Sequence, residues 1–260
     1  RKNGKNFLVS VILLLCLLLE DDYTEMYSIS LDRDLASMTK KALTQLIERS
    51  PLLKNKFKLT TTLNAKITCK INKSFFQART SFADKNNSIM PSVIVEDEIG
   101  AMQSYSNLNA IESGQLNIKN PLILKISTAY ENNNSVMEEE VNYSKQVLDG
   151  IVEDERIFSL LYYASKENIW NDIGIYEANP LRIEDNYNEI RDMRKKAQVI
   201  KDKKVEFLTK HCNVFLQEDS DEAYIDMEFW KKSVVDKIDF TGKEVVIALD
   251  GSISYDLFAV

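Results

Sequence analysis

The pentapeptide Arg1-Lys2-Asn3-Gly4-Lys5 stands directly before an apolar run at residues 7–19 (FLVSVILLLCLLL), and no other feature constrains the fold as much. A Gly-Lys pair at the start of a helix presents backbone N–H groups and an ammonium to an anion, which is the chemistry of a phosphate-binding loop. The complete pattern is G-x-x-x-x-G-K-[ST]. With Gly4-Lys5 as its end, the first glycine falls before Arg1. The chain is therefore expected to be a fragment cut inside the motif, lacking the strand that leads into it. Asn6 stands where the pattern has Ser or Thr. Its side-chain carbonyl can still ligate a hard cation, at a shifted position.

The apolar run also invites a membrane reading. It is shorter than the roughly 20 residues that span a bilayer, and Glu20-Asp21-Asp22 follow it. No small-residue cleavage site marks it as a secretory signal. Placed after a phosphate loop, it reads as the helix between sheet and solvent in an α/β domain, apolar enough to be covered on both sides.

At 260 residues the chain has room for one large domain or one and a half. Its 44% apolar and 28% charged residues are those of a globular protein. A net charge of −7 argues against a uniformly basic nucleic-acid binder. Contact with DNA through a local patch or a ring assembly stays open. Cys16, Cys69 and Cys212 are far apart and accompany a single histidine, His211. That set has no zinc-site spacing and fits a reducing compartment. Cys212 beside His211 reads as a chance neighbour and not as a nucleophile pair.

Short apolar runs alternate with amphipathic stretches, the pattern of an α/β fold with a mostly parallel sheet. Strands are expected at residues 25–31, 93–95, 121–128 and 156–163. Two or three short antiparallel strands are expected within 57–76. Helices are expected at 32–49, with Asp32 as N-cap and Pro51 as terminator, and at 101–112 and 136–150. Residues 184–204 read as one exposed helix joining two bodies. At the end, VVIALD (245–250) reads as a strand closing on Asp250, then Gly251-Ser252 and a further strand.

Residues 93–98 (VIVEDE) form an apolar strand ending in carboxylates. An Asp at such a tip supplies an oxygen to Mg²⁺, and the Glu after it can orient a water. Side chains alternate along a strand, so Asp97 and Glu98 are expected on different sides, with Asp97 on the metal and Glu98 on the water. Glu96, further back, reads as structural. Lys5 would reach the β- and γ-phosphates of ATP. Ser127 and Thr128, at the end of the next strand, either sense the γ-phosphate or form an ordinary turn. Arg79, in a polar loop, is a candidate for an arginine acting in trans. The basic residues Arg194, Lys195, Lys196, Lys201, Lys203 and Lys204 interleave with acids and read as a solvated helix face.

The ordered set RKNGK, YSISLDRDLASM, PSVIVEDEIGAM, LILKISTA and VVIALDGS resembles the large terminase subunit of tailed bacteriophages, in the branch whose loop reads Arg-Lys-Asn-Gly-Lys. The resemblance implies an ATPase motor that drives double-stranded viral DNA into a capsid, coupled to a nuclease. It places Arg1, Lys2, Asn3, Gly4, Lys5 and Asn6 on the nucleotide, Asp97 on Mg²⁺, Glu98 on the attacking water, and Ser127-Thr128 in the motif coupling hydrolysis to movement. Asp250 would be the first metal-binding acid of an RNase H-like nuclease using two divalent ions; Asp256 is not counted as catalytic. The resemblance further implies a small terminase subunit, a portal protein and a homo-oligomeric ring as partners, the bacterial host cytoplasm as location, and no membrane. The domains would be a phosphate-loop ATPase at 1–183 without its first strand, a helical linker at 184–240, and the first strands of the nuclease at 241–260. One carboxylate cannot hold two metals, so no nuclease activity is expected of this stretch alone. Another phosphate-loop translocase, helicase-like, would share the first two motifs but not the strand ending at Asp250, and the missing loop residues with Asn6 leave open an inactive prophage remnant.

Overall fold

The computed structural model describes residues 3–60, 65–80, 89–131 and 135–216, together with Lys232, Thr241, Gly242 and Glu244. The chain divides into two compact units, Arg1–Gln217 and Glu218–Val260. Arg1 and Lys2, and the strands expected at 245–260 with Asp250 and Asp256, lie outside the described residues.

Helix α1 (Lys5–Leu19) leads into strand β1 (Glu25–Ser30), and helices α2 (Arg33–Arg49) and α3 (Pro51–Lys54) follow. Three short strands come next: β2 (Phe57–Leu59), β3 (Lys66–Cys69) and β4 (Phe75–Thr80). Then come β5 (Pro91–Asp97), α4 (Ser106–Glu112), β6 (Leu122–Ile126) and α5 (Val136–Leu148). The strands form one six-stranded sheet in the order β2-β3-β4-β1-β5-β6. Strands β4, β1, β5 and β6 run parallel, and β3 and β2 add an antiparallel excursion at one edge. This is the expected α/β sheet. The expected antiparallel excursion is there too, but its last strand, β4, turns out to be part of the parallel core.

Strand alternation sorts the core onto two faces. Met26, Val93 and Val95 point toward α1 and α2, where Leu13, Leu17, Leu43 and Ile47 bury. Tyr27, Ile29 and Ile94 point the other way, onto Ile99, Leu108, Ile111 and Val136. Full burial of an aliphatic side chain stabilises by roughly 1.5–3 kcal/mol, so Leu13 and Leu17 anchor α1 firmly. Strand β5 is buried along its whole length, which its continuous apolar run reflects. Helix α1, in contrast to the expectation, is covered on one side: Phe7, Leu8, Leu15 and Leu19 are exposed. Among the described residues no helix is long and apolar enough to cross a membrane.

A third core lies off the sheet. Helices α6 (Asp172–Ala178), α7 (Glu184–Ala197) and α8 (Lys201–Lys210) gather Ile175, Tyr187, Ile190, Phe207, Leu208 and Cys212. The single helix expected at 184–204 is broken, because Ile200 takes an extended conformation (φ −108°, ψ 117°). The break lets Phe207 and Leu208 turn in against Tyr187 and Ile190, and Phe207 stacks on Trp170 at 5.6 Å. The expected strand at 156–163 is irregular chain instead, with Phe158 85% exposed. A short apolar run has no intrinsic preference for a strand when no sheet edge takes it up. The helix expected from residue 101 starts at Ser106, because residues 99–101 form a 3₁₀ turn and the Ser104 hydroxyl accepts from the Ser106 N–H.

Candidate nucleotide-binding site

The site forms where the N-terminus of α1 meets the C-terminal ends of β5 and β6. Gly4 begins α1 at φ 74°, a left-handed conformation that glycine adopts without strain. No side chain caps the helix and no acid occupies its first turn, so its leading N–H groups and positive dipole end face outward. Asn3, just before it, donates from Nδ2 to Asn179 Oδ1 at 2.9 Å, tying the loop to the third core.

Asp97 is the last residue of β5, 2% exposed, and faces α1. Asn6 donates from Nδ2 to Asp97 Oδ2 at 2.9 Å. Burial pushes the Asp97 carboxyl up to about 6, and the neighbouring Glu98 adds to this, while Lys5 and the Asn6 amide pull the other way. The Lys5 Nζ lies 3.5 Å from Glu98 Oε1. Two buried polar atoms at this corner, Lys5 Nζ and Asp97 Oδ1, have no hydrogen-bond partner. Such atoms are costly unless a ligand meets them. A phosphate oxygen for the ammonium and a divalent cation for the carboxylate oxygen fit the pair. Mg²⁺ characteristically takes one or two protein carboxylates and completes its shell from phosphates and water.

Glu98 departs from the alternation expected of a strand end. It sits at φ 57°, ψ 41°, a left-handed conformation uncommon for a residue with a Cβ. Its N–H still donates to Ile126 O at 2.8 Å, but the twist swings its side chain to the same corner as Asp97. Tyr130 donates from its hydroxyl to Glu98 Oε2 at 3.2 Å. Glu98 therefore lies beside Lys5 and Asp97 and not on the opposite side. Backbone strain of this kind collects at functional sites.

The Ser127 hydroxyl accepts from the Gly100 N–H at 2.9 Å and donates to Thr128 O at 3.0 Å, so it braces the 3₁₀ turn after β5. Gly100 is required there, because a Cβ would come within 2.6–2.7 Å of Tyr130, Ser127 and Thr128. Ser127 and Thr128 line, with Asn3, Gly4 and Lys5, a cavity of about 450 Å³ beside the β6 edge. Arg79 belongs to β4 and not to a loop, with its guanidinium 4.9 Å from the Tyr27 ring centre. On α7 and α8, Lys195 and Lys203 pair with Asp192 and Glu206 on a solvated face, whereas Arg194 is largely buried and pairs with Asp172 at 2.9 Å. Burial pushes the Cys212 thiol up to about 12, with Arg194 opposing, which leaves no thiolate for nucleophilic work.

Sequence reasoning missed a charged cluster on the opposite face of the sheet. Lys125, inside the apolar β6, reaches Glu140 at 2.8 Å, Glu112 at 3.3 Å and Glu96 at 3.8 Å. Glu96 is fully buried. Burial pushes its carboxyl up to about 8, against the pull of Lys125 and with Glu112 and Glu140 adding to the rise. For Lys125, burial lowers the ammonium but the surrounding carboxylates outweigh it and hold it charged. The signal was present in the sequence: a lysine within the apolar run LILKI, half-buried in the sheet, calls for acidic partners.

The parallel sheet, the helix N-terminus after the Gly-Lys pair and the buried Asp97 define a phosphate-loop nucleotide-binding domain. The chain matches the terminase large subunit ATPase domain over residues 1–146 and the terminase large subunit endonuclease domain over residues 152–260. It belongs to the terminase large subunit family. Its fold is similar to that of the HK97 bacteriophage large terminase, with a TM-score of 0.72 and 22% identity over 83% of this chain and 45% of that one. It is also similar to the ATPase domain of the Thermus phage P74-26 large terminase, with a TM-score of 0.54 and 14% identity over 82% of this chain and 86% of that one. The chain thus spans about 45% of the length of the HK97 protein. No curated protein matches it.

Proposed function

We propose that this chain is the motor part of a phage terminase large subunit, coupling ATP hydrolysis to the packaging of double-stranded viral DNA in the host cytoplasm. The observation that carries the reading is the pair of buried atoms without a hydrogen-bond partner, Lys5 Nζ and Asp97 Oδ1, at the N-terminus of α1. Arg1, Lys2, Asn3 and Gly4 would hold the phosphates through the loop, and Lys5 would balance the charge of the β- and γ-phosphates. Asp97, with the Asn6 amide beside it, would hold Mg²⁺, which when bound supplies neutralisation of phosphate charge. Glu98 would take the proton of the attacking water. Ser127 and Thr128 would relay the state of the γ-phosphate through the braced turn at Gly100. Asp250 would bind a divalent metal and act in the nuclease.

In this reading residues 1–183 carry the motor, 184–240 connect, and 241–260 begin the nuclease, although the endonuclease match already starts at residue 152. The shared core of α6 with α7 and α8 argues for drawing the first boundary back toward Ala164. A small terminase subunit, a portal protein and further copies of the chain in a ring are the partners such a motor needs. ATP hydrolysis by the full-length protein tests the assignment. Lys5→Ala is expected to lower kcat by about 100-fold or more, as loss of one preorganised charge at a transition state does. Activity indifferent to that change refutes the site.

The Asp97 carboxyl, raised to about 6, adds a pH dependence. Below about pH 6 a proton occupies the oxygen that the cation needs, so Mg²⁺-nucleotide affinity falls as pH drops through that value. Nucleotide-binding calorimetry at pH 5, 6 and 7.5 checks this, and Asp97→Asn is expected to flatten the profile.

A further inference from the structure

We propose that Tyr130 is the positioning residue of Glu98, and that helix α8 sets where Tyr130 stands through Lys210. The inference rests on reading Glu98 as the group that activates water. The Glu98 carboxylate is held on both oxygens: Lys5 lies 3.5 Å from Oε1, and the Tyr130 hydroxyl donates to Oε2 at 3.2 Å. These two restraints have different fates. The Lys5 ammonium has an incoming phosphate as a stronger partner, so nucleotide binding draws it away from Glu98. Tyr130 carries no charge to offer a phosphate and stays. During hydrolysis it is then the group that keeps a flexible glutamate in one orientation, where a freely rotating carboxylate would lose most of its proximity advantage.

Tyr130 is itself fixed from two directions. Its ring packs on Gly100, where any side chain would collide with it at 2.6 Å. On the other side the Lys210 Nζ stands 3.3 Å from the ring centre, and the same ammonium donates to Ala129 O at 3.4 Å. A cation over the ring contributes attraction and polarises the hydroxyl toward donation. Lys210 ends α8, whose Phe207 and Leu208 belong to the helical core and not to the sheet. A continuous set of contacts therefore runs from the helical body through Lys210 and Tyr130 to Glu98. Displacement of α8 lifts the ammonium from the ring and loosens the hydroxyl's hold on the carboxylate, so the position of the helical body is read out in the rate of hydrolysis.

Steady-state ATPase assays on the full-length protein test this, with thermal unfolding measured in parallel. Tyr130→Phe keeps the ring and removes the hydroxyl. It is expected to lower kcat roughly tenfold, the scale of one hydrogen bond to a charged group, with the unfolding midpoint and KM for ATP held within about twofold. Lys210→Met is expected to lower kcat severalfold and Lys210→Arg to restore it, because Arg keeps a cation on the ring. The double variant Tyr130→Phe/Lys210→Met is expected to be no slower than Tyr130→Phe, since both act through one hydroxyl. If Glu98→Gln abolishes turnover while Tyr130→Phe leaves kcat unchanged, the positioning role is wrong and the water-activating role stands. If Glu98→Gln retains full kcat, the underlying reading of Glu98 fails instead. A fully additive double variant refutes the route through Lys210, and a rise in KM with a lowered unfolding midpoint refutes positioning in favour of structural support.

Discussion

Glu98→Gln is expected to lower kcat for ATP hydrolysis by about 10²–10⁴-fold, the usual contribution of a positioned general base, while the protein still binds nucleotide. The substitution keeps the side-chain shape and removes only the proton-accepting charge. Its effect on KM has a definite sign as well. Lys5 lies 3.5 Å from Glu98 Oε1, so part of the ammonium's attraction is spent on the carboxylate before nucleotide arrives. Removing that charge frees Lys5 for the phosphates, and KM is expected to stay level or fall. A lower kcat with a lower KM is the signature of a lost ground-state restraint combined with a lost catalytic group. Single-turnover hydrolysis with a nucleotide-binding titration measures both quantities. A rise in KM of the same factor as the fall in kcat would instead mean that Glu98 holds the nucleotide and does not act on water.

The sequence exposed the parts of this site that depend on short-range chemistry. Gly4-Lys5 before an apolar helix, and VIVEDE as a buried strand tip, carry their meaning in residue type and order, and α1 and β5 form there. Alternation was a sound rule up to Asp97 and failed one residue later. That Glu98 twists left-handed while its N–H keeps the bond to Ile126 goes with the turn that follows, which is braced by Ser127 and Tyr130 at Gly100, contacts distant in sequence. Tyr130 was invisible for the same reason, since its partners come from the β5 turn and from α8. The run at 156–163 looked like a strand because apolar composition alone does not say whether a sheet edge is near. The broken helix at Ile200 followed from a third core that no local pattern announces.

Lys125→Met is expected to destabilise the fold by about 3 kcal/mol at pH 10, the lower end of the cost of stripping one partner from a buried charge cluster. The ammonium faces Glu96, Glu112 and Glu140 within 3.8 Å, and Glu96 has no exposure to water. Methionine fills the space of the lysine stem, so the loss is electrostatic and not a cavity. The pH dependence distinguishes the two. Glu96 is raised from about 4.5 to about 8, so it contributes stability that is fully present below about pH 4.5 and lost as pH rises through about 8. Without Lys125 the downward pull on that carboxyl vanishes, so Glu96 keeps its proton to higher pH, whereas the native protein releases it above about pH 8. The penalty of the variant is therefore expected to be nearly constant between pH 6 and pH 8, where it reflects Glu112 and Glu140, and to grow by about 1.4 kcal/mol per pH unit above pH 8. Adding Glu96→Gln to Lys125→Met is expected to recover most of that added loss at pH 10, because a neutral amide has no proton to hold. Urea unfolding of the single and double variants at pH 7 and pH 10 measures this. Equal losses at pH 7 and pH 10, or no recovery in the double variant, would assign the role of Lys125 to packing of its aliphatic stem and not to its charge.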